Sequence, residues 1–479
     1  MSRRRNRFLA WGVIALCGAA AAHAVPLKVT PPKLEVAEHR LGNGLRVLMN
    51  EDHSVPIVTV QLWYHVGSKN ERAGRSGFAH LFEHLMFKGS RNVGLEEHKD
   101  FIQSIGGSYN ATTDFDRTLY FETIPSNYLE RILWMEADRM ETLNVSEENF
   151  LSERQVVKEE RRMRIDDPPF GRMFENVFAN TYQTHPYRIL PIGSMKDLDA
   201  ATVDDVRDFY KTYYVPNNAT LVLSGDFEPK QVLQWVEKYF GDIPAGKPIA
   251  RNAPQEAAQT KEKRAVVYDS KAPLPAVVLA YHVPAASDPD VYPLQVASNI
   301  LSAGQSSRLY RKMVYEQQLA LQASGQTYVL EDPGAFFFFS ILQGGHKPEE
   351  GEKALLEEVE RLKSEPVSAE ELEKARNQFI ADMVFDRQTV MSKATAIGYS
   401  AVIQNDLSLL NRELAEFQKV TAADIQRVAK KYMSPENRTV IYMLPESMKP
   451  DANGTPAAAG GTGAGTGADS SPKSDEVTR

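Results

Sequence analysis

Cysteine is almost missing from this 479-residue chain, with Cys17 the only one. A disulfide framework, a thiol nucleophile and a cysteine-ligated metal are therefore excluded for a chain processed beyond that position, and any metal has to be held by histidine and carboxylate. Histidine is scarce too, ten in all, so a close pair of them carries information. Basic excess is lacking: the formal net charge is -8 and no sustained basic stripe occurs, which leaves nothing for nucleic acid to bind. Arg161-Arg162 and Lys261-Glu262-Lys263-Arg264 read as solvated faces. The apolar stretch from Phe8 to Ala22 is too short and alanine-rich for a membrane span. What remains is the balance of a soluble globular protein, 42% hydrophobic and 25% charged, with length for two or three domains.

The N-terminus has Arg3, Arg4, Arg5 and Arg7, then the Phe8–Ala22 stretch, then Ala22-His23-Ala24. These are the n-region, h-region and cleavage signal of a signal peptide, residues 1–24, and the expected location is the periplasm. Lipid attachment at Cys17 is the lesser reading, because Leu16 stands where a small residue is needed. Twin-arginine export is also compatible, although Arg3-Arg4 lies farther from Phe8-Leu9 than that signal prefers.

An internal repeat organises the rest. Thr59-Val60-Gln61-Leu62-Trp63-Tyr64-His65-Val66 returns as Ala276-Val277-Val278-Leu279-Ala280-Tyr281-His282-Val283, and the stretch from Thr202 to Leu221 returns from Thr421 to Val440, at offsets of 217 and 219 residues. Each half reads as an apolar strand, a long helical region and a closing strand after a proline-asparagine turn. The expected fold is α+β: two homologous halves, each a mainly antiparallel sheet with helices packed on one face. The first half spans 25–245, a proline-containing linker 246–265, the second half 266–446, and a Gly/Ala/Thr/Ser-rich tail 447–479 that lacks core-forming side chains.

Gly77-Phe78-Ala79-His80-Leu81-Phe82-Glu83-His84-Leu85 has the pattern of an amphipathic helix. His80 and His84, four apart, project from one face and can chelate one zinc ion, and Glu83 beside them can take a proton from an activated water. H-x-x-E-H is the inverted zinc-protease signature. A third ligand is available in Glu153-Arg154-Gln155-Val156-Val157-Lys158-Glu159-Glu160, where Glu153 and Glu160 share a helix face. One carboxylate can bind metal while the other supports a ligand imidazole. On periodicity alone this segment is also an ordinary charged helix.

These residues, with Gly106-Gly107-Ser108-Tyr109-Asn110-Ala111-Thr112-Thr113, His185-Pro186-Tyr187 and Pro216-Asn217-Asn218-Ala219-Thr220, resemble the pitrilysin/insulysin metallopeptidases, in the short branch typified by mitochondrial processing peptidase. The resemblance runs from Leu41 to Val440, and His84 and Glu160 stand one residue closer than usual. It implies a peptidase with one zinc on His80, His84 and Glu160, Glu83 as general base and Glu153 as supporting carboxylate. Asn110-Ala111 would then lie on an edge strand that pins the substrate backbone, and paired halves would enclose a chamber. Active relatives also carry an Arg and a Tyr in a late strand and the helix after it. In Gly334–Gly345 and Lys347–Glu350 a phenylalanine and an acidic residue stand in their places. The resemblance thus implies a sister subunit that supplies the pair, or else a homodimer. In the second half the metal motif is absent, and Gly304-Gln305-Ser306-Ser307-Arg308-Leu309-Tyr310-Arg311 is read as its counterpart. The competing reading is a non-catalytic structural subunit of a peptidase-like assembly.

Overall fold

The computed structural model describes residues 32–251 and 254–450. The expected signal peptide 1–24, and the tail from 451 onward, lie outside the described residues. Residues 446–448 form a short 3-10 turn, so the expected tail starts within ordered backbone.

The first half builds a six-stranded sheet from β1 (Ala37–Arg40), β2 (Arg46–Glu51), β3 (Ile57–Tyr64), β4 (Ser108–Thr113), β5 (Thr118–Pro125) and β6 (Ala219–Gly225), in the order β1-β2-β6-β3-β5-β4. The second half builds a five-stranded one from β7 (Lys263–Asp269), β8 (Ala276–His282), β9 (Ala320–Tyr328), β10 (Ala335–Leu342) and β11 (Arg438–Pro445), in the order β7-β11-β8-β10-β9. All neighbours are antiparallel except β2 with β6 and β7 with β11, which occupy corresponding places in the two sheets. The linker expected over 246–265 ends sooner, because Lys263, Arg264 and Ala265 already pair with Thr439, Val440 and Ile441. Charge at Lys263 and Arg264 suits an edge strand, where it discourages further pairing.

β3 and β8 are buried along nearly their whole length rather than on alternate residues. A strand without alternation has both faces covered. On one face of the first sheet, Val58, Val60, Leu62 and Tyr64 pack under helices of their own half. On the other, Leu48, Trp63 and Val222 meet Ala394, Ile397 and Ala401 of the Val390–Val402 helix, which belongs to the second half. The second sheet mirrors this: Ala276, Val278 and Ala280 meet Met173, Val177 and Phe178 of the Met173–Thr181 helix from the first half. The α+β arrangement is as expected, but helices cover both faces of each sheet, because the halves exchange one helix across their junction.

The fit at this exchange is close. A Cβ added at Gly398 would stand 2.1 Å from the Trp63 ring, which is itself held by an indole N–H bond to Gln61 at 2.8 Å. Lys393 on the same helix pairs with Asp52 of the first half. Lys69, with its side chain 6% exposed, joins Asp116 at 2.8 Å to Glu331 at 2.5 Å across the junction. Among the described residues no helix is long and apolar enough to cross a membrane.

Candidate metal centre

The Phe78–Leu85 helix buries Phe78, Ala79, Leu81, Phe82 and Leu85, leaving His80, Glu83 and His84 on the remaining, half-exposed face. Gly77 at its N-terminus has no side chain to cap it. Glu71 does so instead, its two oxygens accepting the N–H groups of Gly77 at 3.0 Å and Ala79 at 2.8 Å. The Glu147–Arg161 helix packs across this motif helix and presents Glu153 and Glu160 one above the other.

The two helices bring three donor atoms together. His80 Nε2 lies 3.5 Å from Glu160 Oε2, and His84 Nε2 lies 3.3 Å from the same oxygen. Ligands at about 2.05 Å from a tetrahedral zinc stand about 3.3–3.4 Å apart, so the residues present fit that ion. Glu160 Oε1 is engaged by Arg164 at 2.9 Å, which leaves Oε2 to face the imidazoles. Burial, then the neighbouring His84, pushes His80 down to about 4, so this ring is neutral and keeps a lone pair for metal. Burial opposes charge on His84 as well, but the Glu153 and Glu160 carboxylates outweigh it and hold its pKa at about 9. A divalent cation would answer the same negative charge.

Glu153 occupies the supporting position. Its Oε2 lies 3.3 Å from His84 Nδ1, so that N–H donates to it and Nε2 is the atom left for a metal once its proton is displaced. Lys88 reaches Glu153 Oε1 at 2.8 Å and fixes the carboxylate in turn. Replacing Glu153 by Gln is expected to weaken zinc binding by about 10–100-fold, measured by competition with a chromophoric chelator. Unchanged affinity would show that Glu153 has no hold on the ligand.

Glu83 points to the same face, and its Oε2 accepts the hydroxyl of Thr113. Burial raises its pKa, with the Thr113 bond working the other way, which suits a base that must exchange a proton near neutrality. Thr113 ends β4, the last strand of its sheet, which pairs with β5 alone. Asn110 and Ala111 sit mid-strand there, opposite Phe121 and Tyr120. Thr113 and Lys88 had no role assigned from sequence, although Thr113 ends the quoted Gly106–Thr113 stretch and Lys88 closely follows the motif helix; only proximity reveals what they touch.

A second group of potential ligands, His98, Glu122 and Glu136, is already answered by Arg139, at 3.0 Å from Glu122 and 2.5 Å from Glu136.

The counterpart in the second half differs from expectation. The Val291–Ser302 helix, not Gly304–Arg311, takes the motif helix's place. It packs on the Ala369–Asp386 helix, β9 and the Ala422–Tyr432 helix, as the motif helix packs on the Glu147–Arg161 helix, β4 and the Val203–Tyr213 helix. The burial sequence from Ala79 to Leu85 repeats from Leu294 to Ile300. Gln295, Ser298 and Asn299 thus stand for His80, Glu83 and His84, and no ligand pair remains. Gly304 at φ 69° corresponds to Gly89 at φ 82°, beyond the end of the helix rather than before its start.

The late strand and helix also offer nothing at the positions of the Arg and Tyr. Phe336, Phe337 and Phe338 are buried in β10, and Glu350 is taken by His346 at 2.8 Å and the Lys347 N–H at 3.1 Å.

Residues 46–190 match the family described as Insulinase (Peptidase family M16), and residues 200–379 the Peptidase M16 inactive domain. Zinc protease PqqE of Helicobacter pylori is 33% identical over 408 residues, 85% of this chain and 92% of that protein. The probable mitochondrial-processing peptidase subunit beta of Arabidopsis thaliana is 23% identical over 427 residues, 86% of this chain and 79% of that one. The crystal structure of a protease from Helicobacter pylori matches with a TM-score of 0.83 at 32% identity, covering 86% of this chain and 100% of that chain. With two family domains in tandem and a zinc protease as a full-length relative, the chain belongs to the M16, or insulinase, family of peptidases.

Proposed function

We propose that this chain is a zinc metalloendopeptidase that hydrolyses peptides in the periplasm, and the catalytic subunit of a heterodimer. The observation that carries the reading is the convergence of His80 Nε2 and His84 Nε2 on Glu160 Oε2, each at tetrahedral-edge spacing from it, with Glu83 beside them. A zinc ion held by His80, His84 and Glu160 would supply a Lewis acid that lowers the pKa of a water towards about 7. Glu83 is placed to take a proton from the attacking water and return it to the departing amine nitrogen. Thr113 holds Glu83 in line for both transfers. The free edge of β4 takes the substrate backbone as an added strand at Asn110 and Ala111, which presents an extended peptide to Glu83.

Hydrolysis also needs donors for the oxyanion, and β10 with its following helix supplies none at the expected places. A sister subunit carrying an Arg and a Tyr completes the site. The relation to a mitochondrial-processing peptidase subunit beta supports a subunit role. Location rests on the arginine-led apolar N-terminus. Those missing donors also favour a second reading, a non-catalytic structural subunit. Cleavage of unfolded peptides by the full-length chain with its sister, lost on chelation and restored by zinc, supports the enzyme; cleavage that survives chelation overturns it.

A further inference from the structure

The two histidines of the metal helix are not steadied alike. His84 has its second ring nitrogen bonded to Glu153. The Nδ1 atom of His80 is buried and has no hydrogen-bond partner among the described residues. A ligand imidazole normally donates its other N–H to an acceptor that fixes the ring, so His80 depends on its backbone for its aim. That backbone is the weak part of the helix. His80 is the third residue of the eight-residue Phe78–Leu85 helix, in the first turn, where N–H groups lack partners within the helix and the chain frays.

Glu71 steadies that turn from outside, by accepting the N–H groups of Gly77 and Ala79. Its own backbone is anchored in turn. The Glu71 N–H donates to Ser68 O at 3.2 Å, at the end of a 3-10 turn over Ser68–Asn70. That turn lies on the hairpin between β4 and β5, with Ser68 N–H on Asp114 O at 3.2 Å and Lys69 N–H on Phe115 O at 3.0 Å. From the same turn the Lys69 side chain reaches Glu331 and Asp332, on the loop between β9 and β10 of the second half. The Glu331 N–H also donates to Asp116 Oδ2 at 2.9 Å. One short segment therefore grips the second half with one side chain and the metal helix with another, two residues apart.

We propose, on the zinc reading of the site, that Glu71 is the positioning residue of His80, and that the second half steadies Glu71 through Lys69. The half without a metal motif thus helps to aim a ligand in the half that has one. Without Glu71, His84 and Glu160 keep their places while His80 loses its aim, so the ion is left with two ligands and a poorly placed third.

The test measures zinc affinity of the full-length chain by competition with a chromophoric chelator, and the visible spectrum of the chain loaded with cobalt(II), which reports coordination geometry. Three variants stand beside the parent, each checked for folding by circular dichroism. Glu71→Ala removes the cap. Glu331→Gln/Asp332→Asn frees Lys69 from the second half but leaves it paired with Asp116. Lys393→Gln cuts the pair with Asp52 elsewhere on the junction. Glu71→Ala is expected to weaken zinc binding about tenfold or more and to change the cobalt band. The Glu331→Gln/Asp332→Asn variant is expected to weaken it about threefold, with the same direction of spectral change. Lys393→Gln should leave both readings as in the parent. Joined in one chain, the Glu71 and junction changes should cost no more than Glu71→Ala alone, because both act through one turn. A parent that binds neither metal removes the zinc reading itself. A parent that binds, with Glu71→Ala and the junction variant indistinguishable from it, overturns the positioning role and leaves the zinc reading standing. Losses that add in full, or an equal loss in Lys393→Gln, overturn the link through Lys69.

Discussion

Glu83→Gln is expected to leave zinc bound and to lower peptide hydrolysis by about 10²–10⁴-fold. Glu83 is not one of the three converging donors, so its loss does not remove a ligand. The amide keeps the size of the side chain and still accepts the Thr113 hydroxyl through its carbonyl oxygen, so the motif helix has no reason to move. What it cannot do is take a proton. The loss belongs in kcat and in kcat/KM together, since the proton moves only on the way to the transition state. A variant that retains turnover would assign the base elsewhere, and one that releases zinc would show that Glu83 is structural.

The second large effect concerns the missing donors. The purified chain alone is expected to cleave peptides about 10²–10³-fold more slowly than the same chain with its sister subunit, the range for removing an oxyanion donor. The buried phenylalanines of β10 cannot be rearranged into donors, and Glu350 is occupied in starting its helix. The increase should appear in kcat, because oxyanion donors act on charge that develops during reaction. Full activity of the chain by itself would remove the heterodimer from the account.

Much of the candidate site was legible because helical spacing is local. His80 and His84 at i and i+4 share a face whatever surrounds them, and the apolar residues between them say which side is buried. The acidic helix was harder: periodicity puts Glu153 and Glu160 on one face, but only packing decides that Glu160 meets both Nε2 atoms and Glu153 the Nδ1 of His84. The helix exchange between halves was not legible at all. Val390–Val402 and Trp63 are separated by more than 300 residues, and nothing local in either tells which surface will cover it. The second-half counterpart was hidden for a different reason. With Gln295, Ser298 and Asn299 in place of His80, Glu83 and His84, the Val291–Ser302 helix carries no motif to recognise, and only its packing shows the correspondence.

The most direct test of the central claim is the zinc content of the purified full-length chain, measured beside Glu83→Gln, His84→Ala and Glu160→Gln under the same dialysis. The account predicts close to one zinc per chain in the parent and in Glu83→Gln, and a large loss in His84→Ala and Glu160→Gln. Full zinc retention in both ligand variants, or a parent that binds none, would contradict it.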